Sequence, residues 1–342
     1  MESDFYVQWH ITNLCNLRCL HCYQDDFSSR NDLSLKDLEE VSENLLRTVG
    51  EWRRKACIHL TGGEPLLKSE LLPLLAALDR REAVKELGII TNGILLDRKW
   101  SQRLSAISKM KQIKISLDGP DAGSNDSLRA AGTFDRVAEN ISRLQKEARF
   151  EIVLMFTVMK RNFRRLHSLI RLGRDWGLAG IIIERFIPWG QGRGIADEVL
   201  EKSEWQELLD SLSRFFSIEA EEENLSVYQA FQIDLRGAEP QLLGAPCVLG
   251  TDGLCLMPDG TVWPCRRFPL AIGNLLTEPL GEIWAHSELL NRLRKKESLK
   301  GKCGRCEIPG CRGCRSLSLA LTGDFLAEDP HCGHAPSNHP SP

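Results

Sequence analysis

The sequence predicts an α/β chain, a partial (β/α)6 barrel followed by a small C-terminal cysteine-rich domain. Three observations carry that expectation. Apolar strand patterns alternate with amphipathic helix patterns six times over about the first 215 residues, an alternation that builds a parallel sheet through right-handed crossovers. Turns bearing Gly, Asn and Asp fall at the C-terminal ends of the strands, where parallel α/β barrels place their sites. From residue 247 onward the alternation stops and the cysteine density jumps.

Phe5–Thr12 reads as a buried strand. Ser34–Thr48 reads as a helix, because Ser34 can cap it, Asp37 sits three residues on, and Leu38, Val41 and Leu45 share one face. Cys57–Leu60 is a short strand running into Thr61-Gly62-Gly63-Glu64, and Glu70–Arg80 is a leucine-rich helix. Leu87–Ile90 is a strand leading to Thr91-Asn92-Gly93, followed by a helix at Arg98–Ser108. Gln112–Leu117 is a strand reaching Asp118-Gly119, and Phe134–Lys146 is a helix with Val137, Ile141 and Leu144 inward. Glu151–Val158 is a strand and Arg165–Trp176 a helix. Gly180–Ile187 is a strand that reaches Pro188-Trp189-Gly190-Gln191-Gly192, and Glu204–Phe216 is the last helix of the series. Met257–Val262 reads as a tight hairpin with Asp259-Gly260 at its turn. The expected boundaries are a barrel at 1–217, a linker at 218–246, a cysteine-rich domain at 247–332 and a disordered tail at 333–342.

The length of 342 residues suits one large domain and a small one. A net charge of −3 carries no footprint of nucleic-acid binding. No apolar run approaches the roughly 20 residues of a membrane span, and Met1-Glu2-Ser3-Asp4 lacks a signal pattern. A cytoplasmic location follows, with neither nucleic acid nor membrane as partner. Twelve cysteines in such a chain speak for metal ligation rather than disulfides.

Cys15, Cys19 and Cys22 form a C-x3-C-x2-C run: three thiols rather than four. A [4Fe–4S] cluster held by three cysteines keeps one iron open to a ligand. A zinc loop with a distant fourth ligand is the bland alternative. Cys57, inside a strand, reads as a small core residue.

With Gly62-Gly63-Glu64-Pro65, Thr91-Asn92-Gly93 and Ser116-Leu117-Asp118-Gly119, this run resembles the radical S-adenosylmethionine (SAM) superfamily over about residues 5–190. Its hallmark is a C-x3-C-x-φ-C loop followed by a GGEP motif. The resemblance implies a TIM-like partial barrel and a [4Fe–4S] cluster on Cys15, Cys19 and Cys22 whose open iron chelates SAM. It implies reductive cleavage of SAM to methionine and a 5′-deoxyadenosyl radical that abstracts hydrogen, the protein positioning and shielding that chemistry. It places His21 beside the adenine with Tyr23 nearby, and Gly62, Gly63 and Glu64 toward the SAM ammonium. It places Ser116 and Arg129 toward the ribose and carboxylate, a planar Arg fork suiting the latter. Glu64 can instead hold its own loop, and Asn92 and Asp118 can be pocket or turn residues. The Pro188–Gly192 segment is read as mainly structural.

The later cysteines are Cys247, Cys255 and Cys265, then Cys303-x2-Cys306-x4-Cys311-x2-Cys314, then Cys332. With Gly260–Cys265 they resemble the SPASM extension of radical SAM enzymes, an iron–sulfur domain with two auxiliary [4Fe–4S] clusters, so that three clusters are expected in all. Ligation is interleaved in that family. By resemblance Cys247, Cys255, Cys265 and Cys314 hold one cluster, and Cys303, Cys306, Cys311 and Cys332 the other. The x4 and x2 spacings are each one residue shorter than the family's common ones. A zinc ribbon at Cys303–Cys314 is the bland alternative. Full cysteine ligation leaves no open iron, which points to electron transfer.

The expectation is a radical SAM/SPASM oxidoreductase acting on a peptide or protein substrate, with peptide maturation as the activity. A flavodoxin- or ferredoxin-type donor would dock on the basic segment Arg292–Lys302, through Arg292, Arg294, Lys295 and Lys296, while Glu219–Glu223 forms an acidic run. Only 14 residues precede Cys15, so a leader peptide would need a separate leader-binding protein or another surface. The sulfatase-maturing relatives carry a catalytic Asp after the residue matching Cys265, where this chain has Arg266-Arg267, so that activity is not expected. The alternatives are a tetrapyrrole side-chain decarboxylase of the heme pathway, in which the arginine pair meets propionates, and a non-catalytic iron–sulfur or zinc scaffold. No substrate-side acid or base is assigned.

Overall fold

The computed structural model describes residues 4–146, 149–218, 225–245 and 247–334. Six strands, β1 (Phe5–His10), β2 (Ala56–Thr61), β3 (Val84–Thr91), β4 (Met110–Ser116), β5 (Glu151–Val158) and β6 (Gly180–Arg185), lie side by side in chain order. All five of their pairings are parallel. The crossovers carry α1 (Leu35–Glu51), α2 (Leu71–Asp79), α3 (Arg98–Ser105), α4 (Ala122–Asp126), α5 (Thr133–Leu144) and α6 (Leu166–Asp175), and α7 (Lys202–Phe216) follows β6. This is the partial barrel expected from the alternation. β2 is buried along its whole length, as a parallel strand covered on both faces must be.

Local chemistry explains the elements. Ser34 Oγ accepts the Asp37 amide and caps α1, whose Leu38, Val41 and Leu45 are buried. Val137, Ile141 and Leu144 line the buried face of α5. β1 stops at His10, two residues short of the expected Thr12, because the backbone there turns to meet the loop after β2: the Gly63 amide donates to Thr12 O at 2.8 Å. The short α4 was not foreseen. Asp121 caps it through the Ser124 amide.

The sheet is wider than six strands. Residues 230–245, expected to be linker, form β7 (Ala230–Asp234) and β8 (Gln241–Ala245), an antiparallel pair added to β6. Phe231 and Ile233 alternate inward, and Gly180 admits β7 closely: a Cβ there would fall 2.5 Å from Ile233 O. At the opposite edge β9 (Gly253–Leu256) pairs in parallel with β1, and β10 (Thr261–Trp263) and β11 (Gly273–Asn274) continue antiparallel. The expected hairpin is present, with Gly260 at φ 81° in its turn. The cysteine-rich part thus extends the barrel sheet rather than standing apart. Four helices, α8 (Leu280–His286), α9 (Glu288–Arg294), α10 (Gly301–Arg305) and α11 (Arg315–Thr322), complete it.

The seam is apolar and well bonded. Trp284 of α8 meets Phe5 edge-on at 5.3 Å and Trp52 at 5.7 Å. Asn44 of α1 donates to Leu275 O and Glu278 O, each at 2.7 Å. Among the described residues no helix is long and apolar enough to cross a membrane. The acidic run Glu219–Glu223 and tail residues 335–342 lie outside the described residues.

Leu256 is fully buried in β9, opposite Trp9 of β1. Leu256→Ala is expected to lower the unfolding free energy by about 2–5 kcal/mol, measured by urea unfolding.

Candidate active site

A cavity of about 940 Å³ opens at the C-terminal ends of the barrel strands. Cys15, Cys19 and Cys22 line it, and so do His21 and Tyr23 of the same loop. Gly62 and Gly63 after β2, Ser116 at the end of β4, and Arg129 beyond α4 complete the expected set on its wall. Glu64 is not on the wall.

Backbone bonds to three neighbours fix the cysteine loop. Gly63 and Glu64 donate to Thr12 O and Leu14 O, each at 2.8 Å. The Leu20 amide donates to Leu128 O at 2.9 Å, and Gly192 donates to Cys22 O at 2.9 Å. The glycine pair is required by contact: a Cβ would fall 2.2 Å from Thr12 O at Gly62 and 2.4 Å from Leu14 O at Gly63. The Gly190–Gly192 segment therefore braces the loop, the structural role expected of it.

Glu64 takes the internal one of its two possible roles. Its carboxylate is fully buried and accepts from Thr91 Oγ1 at 2.8 Å, the Asn92 amide at 2.9 Å and the Leu66 amide at 3.1 Å. Burial pushes this carboxyl up to about 7 against those three bonds. Asn92 in turn donates to Asn16 Oδ1 at 2.8 Å, on the cysteine loop itself.

Asp118 is the residue whose weight the sequence did not show. It is fully buried, 2.7 Å from Arg129 Nη2 and 3.1 Å from His21 Nε2. It accepts the Thr157 amide at 2.9 Å. Burial alone would raise its carboxyl, but Arg129 and His21 beside it hold it well below the usual carboxylate range. Arg129 also reaches Cys19 Sγ at 3.9 Å. Asp118 thus orients two expected cofactor contacts at once. The three thiols are raised, Cys22 to about 12, chiefly by burial. Bare thiolates are costly there, whereas thiolates bound to a metal cluster are neutralised by it, so the donor set fits such a group.

Part of the cavity wall is charged. Arg266 and Arg267, after β10, flank Glu184 at the end of β6. Arg266 is ion-paired with Glu184, and Arg267 Nη2 lies 3.9 Å from it. Arg267 Nη1 also donates to Arg185 O at 2.7 Å. Both Nε atoms are buried without a partner. Burial and the like charge of Arg267 lower Arg266 to about 10. Its guanidinium lies 5.7 Å over the Tyr23 ring. Glu184 and Arg185 were missed because they end an apolar strand; the only signal was a charged pair at a strand's C-terminal end.

Comparison with known proteins decides the family. The model of the radical SAM superfamily matches residues 9–172, and that of SPASM, an iron–sulfur cluster-binding domain, matches residues 247–307. The chain is 30% identical to an AdoMet-dependent heme synthase of Methanosarcina barkeri, covering 96% of each. The chain belongs to the radical SAM superfamily. It is also 28% identical to the mycofactocin maturase MftC of Mycolicibacterium smegmatis, over 97% of this chain and 83% of that one. Its fold is that of Streptococcus suis SuiB bound to S-adenosylmethionine, with a TM-score of 0.72, 16% identity, and coverage of 97% and 77%. It is an enzyme of the radical SAM type, with iron–sulfur clusters and SAM as the cofactors these domains imply.

The later cysteines of this radical SAM enzyme gather in two places. Cys303, Cys306, Cys311 and Cys332 line one cavity of about 330 Å³, beside Gly313 and Asp329. Cys247 lies within electrostatic reach of Cys265 and Cys314, and Cys255 within reach of Cys265. Among the described residues, no three His, Cys, Asp or Glu side chains form a group that could hold a single metal ion. Cys57 is buried in β2 as a core residue.

Gly63→Ala drives a Cβ into backbone, which cannot yield cheaply. The variant is expected to lose about four irons and at least about tenfold in 5′-deoxyadenosine production, read by iron assay and chromatography. Glu64 adds a pH signature. Its folded carboxyl, raised to about 7 from 4.5, binds protons that the unfolded chain has released, so its contribution to stability falls as pH rises through that window. Glu64→Gln is expected to flatten this slope, read as the urea midpoint from pH 4.5 to 8.

Proposed function

We propose that this chain is a cytoplasmic radical SAM/SPASM oxidoreductase that removes hydrogen from a carbon close to a substrate carboxylate, with a propionate side chain of a tetrapyrrole as the favoured substrate. The observation that carries this is the Arg266–Arg267 pair on the wall of the cavity that the cysteine loop also lines. One carboxylate, Glu184, lies between two guanidiniums, so the wall keeps an excess positive charge. A substrate carboxylate would balance it through charge-assisted bonds. The full-length similarity to heme synthases supports the same class.

Cys15, Cys19 and Cys22 would hold the catalytic cluster. Tyr23, His21, Gly62, Gly63, Ser116 and Arg129 would hold SAM, with Asp118 orienting His21 and Arg129 and Glu64 fixing the loop beneath. When bound, cluster and SAM supply a primary carbon radical able to take hydrogen from an unactivated C–H bond. The eight later thiols would hold two further [4Fe–4S] clusters, three in all, fitted to electron transfer. Loss of one hydrogen atom and CO2 converts a propionate to a vinyl group and leaves one electron, which an auxiliary cluster would take up. Of the four cations expected to dock a flavodoxin- or ferredoxin-type electron donor, Arg294 is committed to Gly250 O and Trp284 O, each at 2.7 Å, and Lys296 to Ile308 O at 3.1 Å. Arg292 and Lys295 remain exposed.

A peptide substrate is the second reading, supported by the similarity to the mycofactocin maturase. A peptide carboxylate would use the same arginines.

Anaerobic protein with reconstituted iron and sulfide, dithionite, SAM and iron coproporphyrin III should yield 5′-deoxyadenosine. The porphyrin product should be lighter by one CO2 and two hydrogens per side chain converted. Arg266→Ala and Arg267→Ala should each raise the porphyrin KM about 10- to 100-fold. Turnover of a carboxylate-bearing peptide but not of the porphyrin would move the assignment to the second reading. Absence of 5′-deoxyadenosine under all conditions would sink both.

A further inference from the structure

Asp329 stands between the two later thiol sets and is 1% exposed. Its Oδ2 accepts the Cys314 amide at 2.8 Å and Arg185 Nη1 at 2.8 Å. Its Oδ1 accepts the His331 amide at 3.0 Å and Arg185 Nη1 at 3.1 Å. Its own amide donates to Cys303 Sγ at 3.3 Å. Cys314 belongs to one set and Cys303 to the other, so a single residue bonds to a member of each.

Arg185 is equally buried. Nη2 donates to Tyr228 O at 3.1 Å, and the guanidinium lies 4.3 Å over Trp205. Trp205 stacks on His331 at 5.1 Å. Cys303 Sγ receives a second donor, Arg315 Nη2, at 3.6 Å. Neither Arg185 nor Asp329 is needed to ligate a cluster. A buried pair of this kind costs desolvation unless its surroundings compensate it, and on the Asp329 side they do so with the Cys314 and His331 amides.

The potential of an iron–sulfur cluster responds to nearby charge and to hydrogen bonds on its sulfurs. A carboxylate disfavours the more negative, reduced cluster, and a guanidinium favours it. In a dry interior both effects are strong, and in a close ion pair they largely cancel.

We infer that Arg185 and Asp329 are positioning residues that jointly set the reduction potentials of both auxiliary clusters. This rests on the reading that the eight later thiols hold two [4Fe–4S] clusters. Removing one charge unbalances the pair, and the sign depends on which charge is removed. A merely structural role would give no opposite signs.

The test is an EPR-monitored redox titration in the Cys15→Ala/Cys19→Ala/Cys22→Ala background, which isolates the auxiliary clusters. That parent should hold about eight irons; fewer would mean that the cluster reading itself has failed. Asp329→Asn should raise both midpoints and Arg185→Gln should lower both. Each shift should change the oxidised-to-reduced ratio about tenfold at fixed potential, or about 59 mV for a one-electron couple. Shifts of the same sign, movement of one cluster only, no shift, or loss of iron from both variants would overturn the inference.

Discussion

A buried carboxylate held by an arginine, a histidine and a backbone amide is the constraint on which the main cavity depends. Asp118 has no exposed surface, yet it stays charged because Arg129, His21 and the Thr157 amide surround it. Those partners come from different parts of the chain: the cysteine loop, the segment after α4, and β5. Were the carboxylate removed, Arg129 would be left as a buried, uncompensated charge beside Cys19, the costly way to break such a pair. Fold and site are therefore coupled here by one electrostatic demand. The same device recurs at Asp329, where the partners are Arg185 and the amides of the cysteine-rich part.

The loop that bears the three thiols is short, polar and without secondary structure of its own. It is held by backbone bonds from three directions, and two of the donors, Gly63 and Gly192, are glycines that let chains approach within contact distance. Glu64 then locks the glycine turn to β3 from below. Rigidity at the cavity floor thus comes from neighbouring strand ends. That is what a parallel barrel supplies: many loops converging on one face.

Much of this was legible in the sequence, for a physical reason. Helix faces such as Leu38, Val41 and Leu45 repeat locally, and cysteines on one loop declare their spacing locally too. What was not legible depends on distant partners. β7 and β8 carry few inward residues each, and nothing in Ala230–Asp234 says that β6 will pair with it. Asp118 could be a pocket or a turn residue until His21 and Arg129 met it. Asp329 lies 144 residues from Arg185, so neither shows the other in sequence. The role of Glu64 was open because a buried and an exposed carboxylate look alike in a motif.

The edge pairing of β9 with β1 explains how two cysteine-bearing regions remote in sequence come to share one frame. β1 leads directly into the loop of Cys15, and its Gln8 is paired with Cys255 of β9. β9 in turn pairs with β10, placing Trp263 opposite Cys255 and carrying the chain to Cys265, Arg266 and Arg267. Strand register therefore fixes where the later thiols and the arginine pair stand relative to the loop of Cys15, Cys19 and Cys22. A slip of one residue would turn Cys255 to the opposite face of the sheet and carry Arg266 and Arg267 away from Glu184. The four residues of β9 are all buried, which makes such a slip expensive. The apolar seam of Phe5, Trp52 and Trp284 thus does more than close the core: it holds the register that brings Arg266 and Arg267 to the wall of the cavity the cysteine loop lines.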